Sequence, residues 1–72
     1  MTAKEFFASA DKTDVKKALR KVKNANYRQI LVKRYLQRKK WEQIQKEIYS
    51  SRRNVFYWHK AALREFERKN RL

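Results

Sequence analysis

The organisation of this chain follows from residues 41–64, WEQIQKEIYSSRRNVFYWHKAALR. Trp41, Ile44 and Ile48 stand at helical spacing with polar residues between them, which predicts an amphipathic helix of about two turns. Ser51 then offers the side-chain oxygen that an N-cap needs, so a second helix is expected to begin after it. A short helix, a tight turn and a capped basic helix are the parts of a helix-turn-helix. The sequence therefore predicts such a unit over residues 41–66.

The second helix of this unit has two chemically different faces. At about 100° per residue, its apolar positions fall on one side and are expected to point inward: Val55, Trp58, Ala62 and Phe66. The opposite side is predicted to face outward: Arg53, Tyr57, Lys60 and Arg64. Outer faces of amphipathic helices often carry charges that are merely solvated. The basic unit and the net charge of the chain favour contact with DNA.

The outward residues suit contacts with the DNA major groove. The planar guanidinium of Arg53, in the first turn, can bond O6 and N7 of guanine together. Asn54 can pair with adenine in the same way, and Tyr57 can pack on a thymine methyl group or bond a phosphate. Lys60 and Arg64 lie further along the helix, where phosphates come close. We therefore expect the first turn to select sequence and the later turns to supply affinity.

Further basic residues surround these positions and are predicted to bind the phosphate backbone. Arg52 adds charge to a helix N-terminus whose free N–H groups already favour a phosphate. The others surround the shorter helix: Arg38, Lys39, Lys40 and Lys46.

The N-terminal segment, residues 1–12, predicts a short helix of its own. Thr2 and Glu5 have the spacing of a capping box, which predicts a helix over about residues 3–10. Phe6 and Phe7 on this helix are expected to dock on the main body, either as a lid on the core or as a contact between two copies.

Two more helices are predicted between the N-terminal segment and residue 41. Thr13 or Asp14 can cap the first of them, and residues 24–26 interrupt it. The next begins near Tyr27 and ends at the basic break of residues 37–40. The expected fold is all-α: one domain over residues 1–72, a small bundle of four to five helices containing the helix-turn-helix.

Composition narrows the class of partner. The 72 residues carry 21 Lys and Arg against 7 Asp and Glu, for a formal charge of +14, which calls for a polyanion such as nucleic acid. Residues 1–23 hold 7 basic and 3 acidic residues (net +4), and the remainder hold 14 and 4 (net +10). No apolar run suits a membrane span or a secretory signal, so we expect a cytoplasmic location and no membrane partner. Cysteine, glycine and proline are absent, which excludes disulfides and favours helices joined by polar turns.

Catalytic and metal-binding interpretations find little support in the residues. His59 is the only histidine and has no ligand or triad partners at a recognisable spacing, so packing or hydrogen bonding is expected of it. Ser50 and Ser51 lack the preceding strand of a nucleophile elbow. Trp41 and Trp58 are predicted as core anchors rather than stacking platforms. We expect no enzymatic activity, cofactor, metal or small-molecule substrate.

Several motifs resemble region 4 of bacterial primary-type sigma factors, and more closely the small sigma-region-4-like transcriptional regulators of phages and prophages of Gram-positive bacteria. The resemblance covers roughly residues 15–66 and is carried by Tyr27-Arg28, Arg34-Tyr35, WEQI at 41–44, YSS at 49–51 and residues 55–63. It implies promoter or operator binding through positions that match the family's DNA-facing ones: Arg52, Arg53, Asn54, Tyr57 and Lys60. It also matches Ser51 to the cap of the recognition helix.

The chain departs from the family pattern at two turns. The family commonly has glycine where this chain has Tyr49, and often another near Arg38. Both turns must therefore form without the residue best suited to positive φ. The resemblance also implies an accessory regulator rather than a complete sigma factor.

Two other functional classes stay open at this stage. In one, the chain is a protein-interaction module in which Phe56, Tyr57 and the last helix bind RNA polymerase. In the other, it is the DNA-recognition subunit of a packaging or recombination system of a mobile element. Either a monomer or a homodimer is compatible with the sequence.

Overall fold

Short polar caps divide the chain into five α-helices. The computed structural model describes residues 1–72 and contains no strand. The helices are α1 Ala3–Ser9, α2 Lys12–Leu19, α3 Ala25–Leu31, α4 Trp41–Glu47 and α5 Arg52–Asn70. The all-α bundle predicted from the sequence is confirmed.

Side-chain caps begin the first three helices. Thr2 and Glu5 form the predicted capping box at the start of α1. The predicted cap of α2 was wrong, because Asp11 accepts the Asp14 backbone N–H at 2.9 Å and starts that helix earlier. Asn24 accepts the N–H groups of Asn26 and Tyr27, so residues predicted to interrupt a helix instead begin α3. With no glycine or proline available, Asp and Asn side chains set these boundaries.

The end of α3 widens before the chain turns toward α4. Over Val32–Leu36 the backbone forms a π-helical turn, in which the Gln37 N–H donates to the Val32 carbonyl at 2.9 Å. Arg38 then takes a left-handed conformation with φ 56°. This left-handed residue lies at one of the two places where the absence of a glycine was noted in the sequence.

The core lies around the long helix α5. Its largest fully buried side chains come from α3, α4, α5 and the turn after α2: Phe66, Ile30, Leu31, Ile44, Val22 and Val55. Burying a side chain of this kind contributes roughly 1.5–3 kcal/mol. Helix α3 makes its main contact with α5, so α5 is held from one side while its other side stays in solvent.

Helix α1 closes over the C-terminal half of α5. The ring centroid of Phe7 lies 4.7 Å from that of Phe66, and the centroid of Phe6 lies 5.6 Å from it. The Ala3 backbone N–H donates to the Glu67 carboxylate at 2.8 Å. The docking predicted for the two phenylalanines is confirmed, and within this chain they form a lid on its own core.

Neither tryptophan is a core residue, contrary to the sequence prediction. Trp41 and Trp58 are both half-buried, whereas Val55, Ala62 and Phe66 on the inward face of α5 are fully buried. Trp41 is the first residue of α4, so its ring lies at the helix joint rather than beneath it. On α5, His59 is more deeply buried than Trp58 and shares a hydrogen bond with the Tyr35 hydroxyl.

Candidate nucleic-acid interface

Helix α4, a four-residue turn and helix α5 follow one another as predicted for residues 41–66. In the turn, Tyr49 has φ 52°, and the Ser50 N–H donates to the Gln45 carbonyl at 3.2 Å. The Ser51 hydroxyl oxygen accepts the Asn54 N–H at 3.2 Å, which confirms Ser51 as the N-cap of α5. This unit presents the first turn of α5 at the surface.

The two helices are locked together by a buried joint. Ile44 of α4 and Val55 of α5 are both excluded from solvent. At the edge of the joint, the Trp41 ring meets the Phe56 ring edge-on, with centroids 5.1 Å apart. Phe56 therefore covers the contact between α4 and α5.

The outward face of α5 is exposed along three turns. All four of its predicted members are exposed to solvent: Arg53, Tyr57, Lys60 and Arg64. Tyr57 keeps 68% of its surface accessible. Arg52 and Asn54 are exposed beside them at the start of the helix, and the Arg52 guanidinium lies 5.5 Å from the Phe56 ring centroid. We call these six residues the α5 outer face. None of them pairs with a carboxylate.

Some of the basic residues around α4 are free of ion pairs, and one is paired with a carboxylate. Arg38, Lys40 and Lys46 are exposed and form no ion pair. Lys39 differs, because its ammonium donates to both carboxylate oxygens of Glu47 at 2.7 Å. Lys39 is thus part of a structural ion pair and is less available to a phosphate than the sequence predicted.

Glu47 gathers two lysines at the end of α4. Lys33 also donates to Glu47, so both lysines bond the same carboxylate. The hydrogen bonds from Lys33 and then Lys39 lower the pKa of Glu47 to about 2. The carboxylate stays charged at neutral pH and ties α4 to the end of α3.

His59 has the packing and hydrogen-bonding role expected from the sequence. Its Nε2 and the Tyr35 hydroxyl oxygen are 2.7 Å apart and share a hydrogen bond, and its ring meets Trp41 edge-on. Burial, and then the charges of Lys4 and Arg34, lower the pKa of His59 to about 4. The imidazole is therefore neutral at physiological pH.

Most of the positive charge has no carboxylate nearby. Only three of the 21 basic residues form an ion pair: Lys33, Lys39 and Arg68. The surface of the domain thus holds a large excess of uncompensated cations, as a protein that neutralises phosphates does.

Sequence reasoning gave no site role to Arg34. Its guanidinium carbon lies 4.6 Å from the Trp41 ring centroid, and Nη1 donates to the Lys39 carbonyl at 3.1 Å. The pair Arg34-Tyr35 was recognised in the sequence as part of a motif, but not as part of a binding surface. Only packing shows that α1, α3 and α4 meet around this side chain.

Comparison of the chain with protein-family models, with curated proteins and with solved structures found no match. No helix combines the length and the apolar character needed to cross a bilayer.

Proposed function

We propose that this chain is a sequence-specific double-stranded DNA-binding transcription regulator of the sigma-region-4-like helix-turn-helix class, encoded by a phage or mobile element. Helix α5 lies in the major groove, and α4 crosses the phosphate backbone beside it. One observation carries the proposal: the α5 outer face is exposed, basic and free of carboxylates directly after a capped turn.

The proposed roles follow position along the helix. Arg53 and Asn54 read base edges from the first turn, and Tyr57 contacts a thymine methyl group or a phosphate. Lys60 and Arg64 bind phosphates where the groove wall approaches the later turns. Selectivity therefore comes from the start of α5, and affinity comes from its middle.

The flanking cations hold the backbone in this proposal. Arg52 adds charge to the N-terminus of α5, and Lys40 and Lys46 extend the contact along α4. Lys39 contributes less, because its ammonium is bonded to Glu47.

Selection of binding sites from random duplexes, repeated at two salt concentrations, tests the proposal. We expect selected sites to outcompete random DNA. We also expect affinity to fall roughly 10³-fold or more between about 50 and 200 mM salt, because each neutralised phosphate releases counterions. Absence of any complex at low ionic strength would rule the proposal out.

Two substitutions separate base reading from phosphate binding. Arg53→Ala is expected to relax preference at one base pair by ~1–3 kcal/mol, whereas Lys60→Ala weakens all sequences about equally. Lys17→Ala, which removes an exposed charge from α2, serves as the matched control. Equal losses from Arg53→Ala and Lys60→Ala on every duplex would contradict the assigned roles.

A further inference from the structure

Two adjoining hollows form a groove on the side of the domain between α1, the end of α3 and the start of α5. Both hollows are lined by Lys4, Arg34 and Tyr35. One continues along α1 to Arg38, and the other continues to the joint of α4 and α5. We call this surface the cationic groove and define it by six residues: Lys4, Arg34, Tyr35, Arg38, Trp41 and Phe56.

The charge of the groove has one sign. It contains three cations, and no acidic residue lines either hollow. The positive potential reaches the floor of the groove, where burial first, and then the charges of Lys4 and Arg34, lower the pKa of the adjacent His59. A ligand that enters the groove gains from carrying negative charge.

Arg34 is the oriented group in this groove. Stacking on Trp41 and the hydrogen bond to the Lys39 carbonyl fix its half-buried guanidinium. A guanidinium has five N–H donors. The Arg34 donors that do not bond the Lys39 carbonyl have no acceptor within the protein and stay accessible to a ligand. A fixed planar fork of this kind matches a carboxylate, which can accept two parallel N–H bonds.

The walls of the groove are aromatic. Trp41 and Phe56 are half-buried and meet edge-on at one end, and Tyr35 lies between the two hollows. Such rings accept an apolar side chain next to a bound carboxylate. An extended peptide with both features complements the cations and the rings together, whereas the phosphate backbone of a duplex offers no apolar group to the rings.

The groove adjoins the α5 outer face only at Arg52, whose guanidinium lies 5.5 Å from the Phe56 ring centroid. The centre of the line formed by Arg53, Lys60 and Arg64 lies roughly 60° around the helix from Phe56 and roughly 120° from His59 of the groove floor. A ligand in the groove therefore leaves Arg53, Lys60 and Arg64 free for DNA.

We propose that the cationic groove binds a short acidic segment of a partner protein, with Arg34 holding a carboxylate through two N–H bonds and the aromatic rings of Trp41 and Phe56 receiving a neighbouring apolar side chain. This proposal does not depend on DNA binding.

The first test uses a short fluorescein-labelled peptide that alternates Asp or Glu with Phe or Leu. Its binding to the full chain is followed by fluorescence anisotropy at an ionic strength of about 0.15 M. Arg34→Gln is expected to weaken binding about tenfold or more, because it removes the fork. Arg34→Lys keeps the charge but loses the fork, so an intermediate loss is expected. Lys17→Gln, the charge-matched control on α2, should change the Kd by less than about twofold.

The two tryptophans report where the peptide binds. Trp41 lies in the groove, whereas Trp58 lines a different hollow with Asn26 and Tyr49. In ¹⁵N-labelled protein, the indole N–H signal of Trp41 is expected to shift on peptide addition while that of Trp58 stays in place. Equal losses for Arg34→Gln and Lys17→Gln, or equal shifts of both indoles, would show diffuse attraction to a +14 protein and overturn the proposal.

A duplex of about 20 base pairs distinguishes the peptide from a phosphate ligand. We expect the peptide to bind protein already loaded with duplex, and Arg34→Gln to weaken duplex binding far less than peptide binding. If the duplex displaces the peptide and Arg34→Gln weakens both equally, the groove is a phosphate site and the proposal fails. Failure of the wild-type chain to bind any duplex would refute the DNA proposal alone.

Discussion

Three residues with large side chains take the left-handed conformation that suits glycine, and two of them, Arg38 and Tyr49, lie in the turns on either side of α4. Arg38 and Tyr49 have φ values of 56° and 52°, in the left-handed region where a Cβ is crowded by the following carbonyl oxygen. The chain has no glycine to place there. The turns at both ends of α4 therefore form in spite of a local conformational cost, which the surrounding packing offsets.

Tyr49→Gly is expected to raise the free energy of unfolding by about 0.5–1 kcal/mol. The substitution removes the crowded Cβ from the folded chain, and this gain exceeds the loss that comes from the greater conformational entropy of glycine in the unfolded chain. The Tyr49 side chain is 95% exposed, so losing its ring sacrifices little packing. Urea denaturation measures the change.

Tyr49→Ala is the matched control, since it removes the same ring but keeps the Cβ. We expect it to leave stability nearly unchanged. A glycine variant no more stable than the alanine variant would mean that the left-handed conformation costs nothing at this turn.

At the scale of the element, α5 carries the proposed base-reading residues on its first turn and the core on its inward face. The two parts are held differently. Val55, Ala62 and Phe66 are anchored by burial, while Arg53 and Asn54 are exposed and depend on how the helix begins. The Ser51 hydroxyl is the only side chain that caps this start.

Ser51→Ala is expected to lower the free energy of unfolding by about 1 kcal/mol and to fray the first turn of α5. Faster amide exchange at Asn54 should accompany the loss, because its N–H donates to the Ser51 oxygen. Ser50→Ala removes a neighbouring hydroxyl that makes no hydrogen bond within the chain and should have little effect. Unchanged protection of Asn54 in Ser51→Ala would count against the cap.

At the scale of the whole molecule, one neutral imidazole joins several helices. His59 of α5 bonds Tyr35 from the end of α3, touches Trp41 of α4 and lies in the field of Lys4 from α1. A protonated imidazole would be buried close to the positive charges of Lys4 and Arg34, so folding of the domain favours the uncharged ring.

Stability is therefore expected to fall as pH drops from about 6.5 to about 4. The pKa of His59 is about 4 in the folded chain against 6.5 for a free histidine, so the unfolded chain binds the extra proton first. The contribution is fully present above pH 6.5, and about 2–3 kcal/mol is lost near pH 4. Urea denaturation across this range measures the fall.

His59→Gln supplies the control, because glutamine does not titrate. We expect the variant to be less stable at neutral pH but to show a flatter pH profile between 6.5 and 4. Glu47, with a pKa of about 2, adds its own loss only below about pH 4.5, in both proteins. Parallel profiles for the two proteins would contradict a buried neutral His59.

Local features of the chain could be read from the sequence with useful accuracy. The helical period separated the exposed Arg53 and Lys60 from the buried Val55, and the caps Thr2 and Ser51 were identified correctly. The start of α2 was misplaced because Asp11, Thr13 and Asp14 are all capable caps only a few residues apart. The spacing of residues along the chain does not show which of these three side chains caps the helix.

The helices, the exposed basic face of α5 and the positive charge could be predicted from the sequence, because helical hydrogen bonds and side-chain periodicity involve residues that are close in the chain, and ionisation depends on residue type. Three features depend on packing between helices instead: Glu47 pairs with Lys33 and Lys39, Arg34 stacks on Trp41, and His59 stays neutral. Those outcomes depend on which helices meet. Burial and short-range charge contacts between residues distant in the chain are created by packing alone.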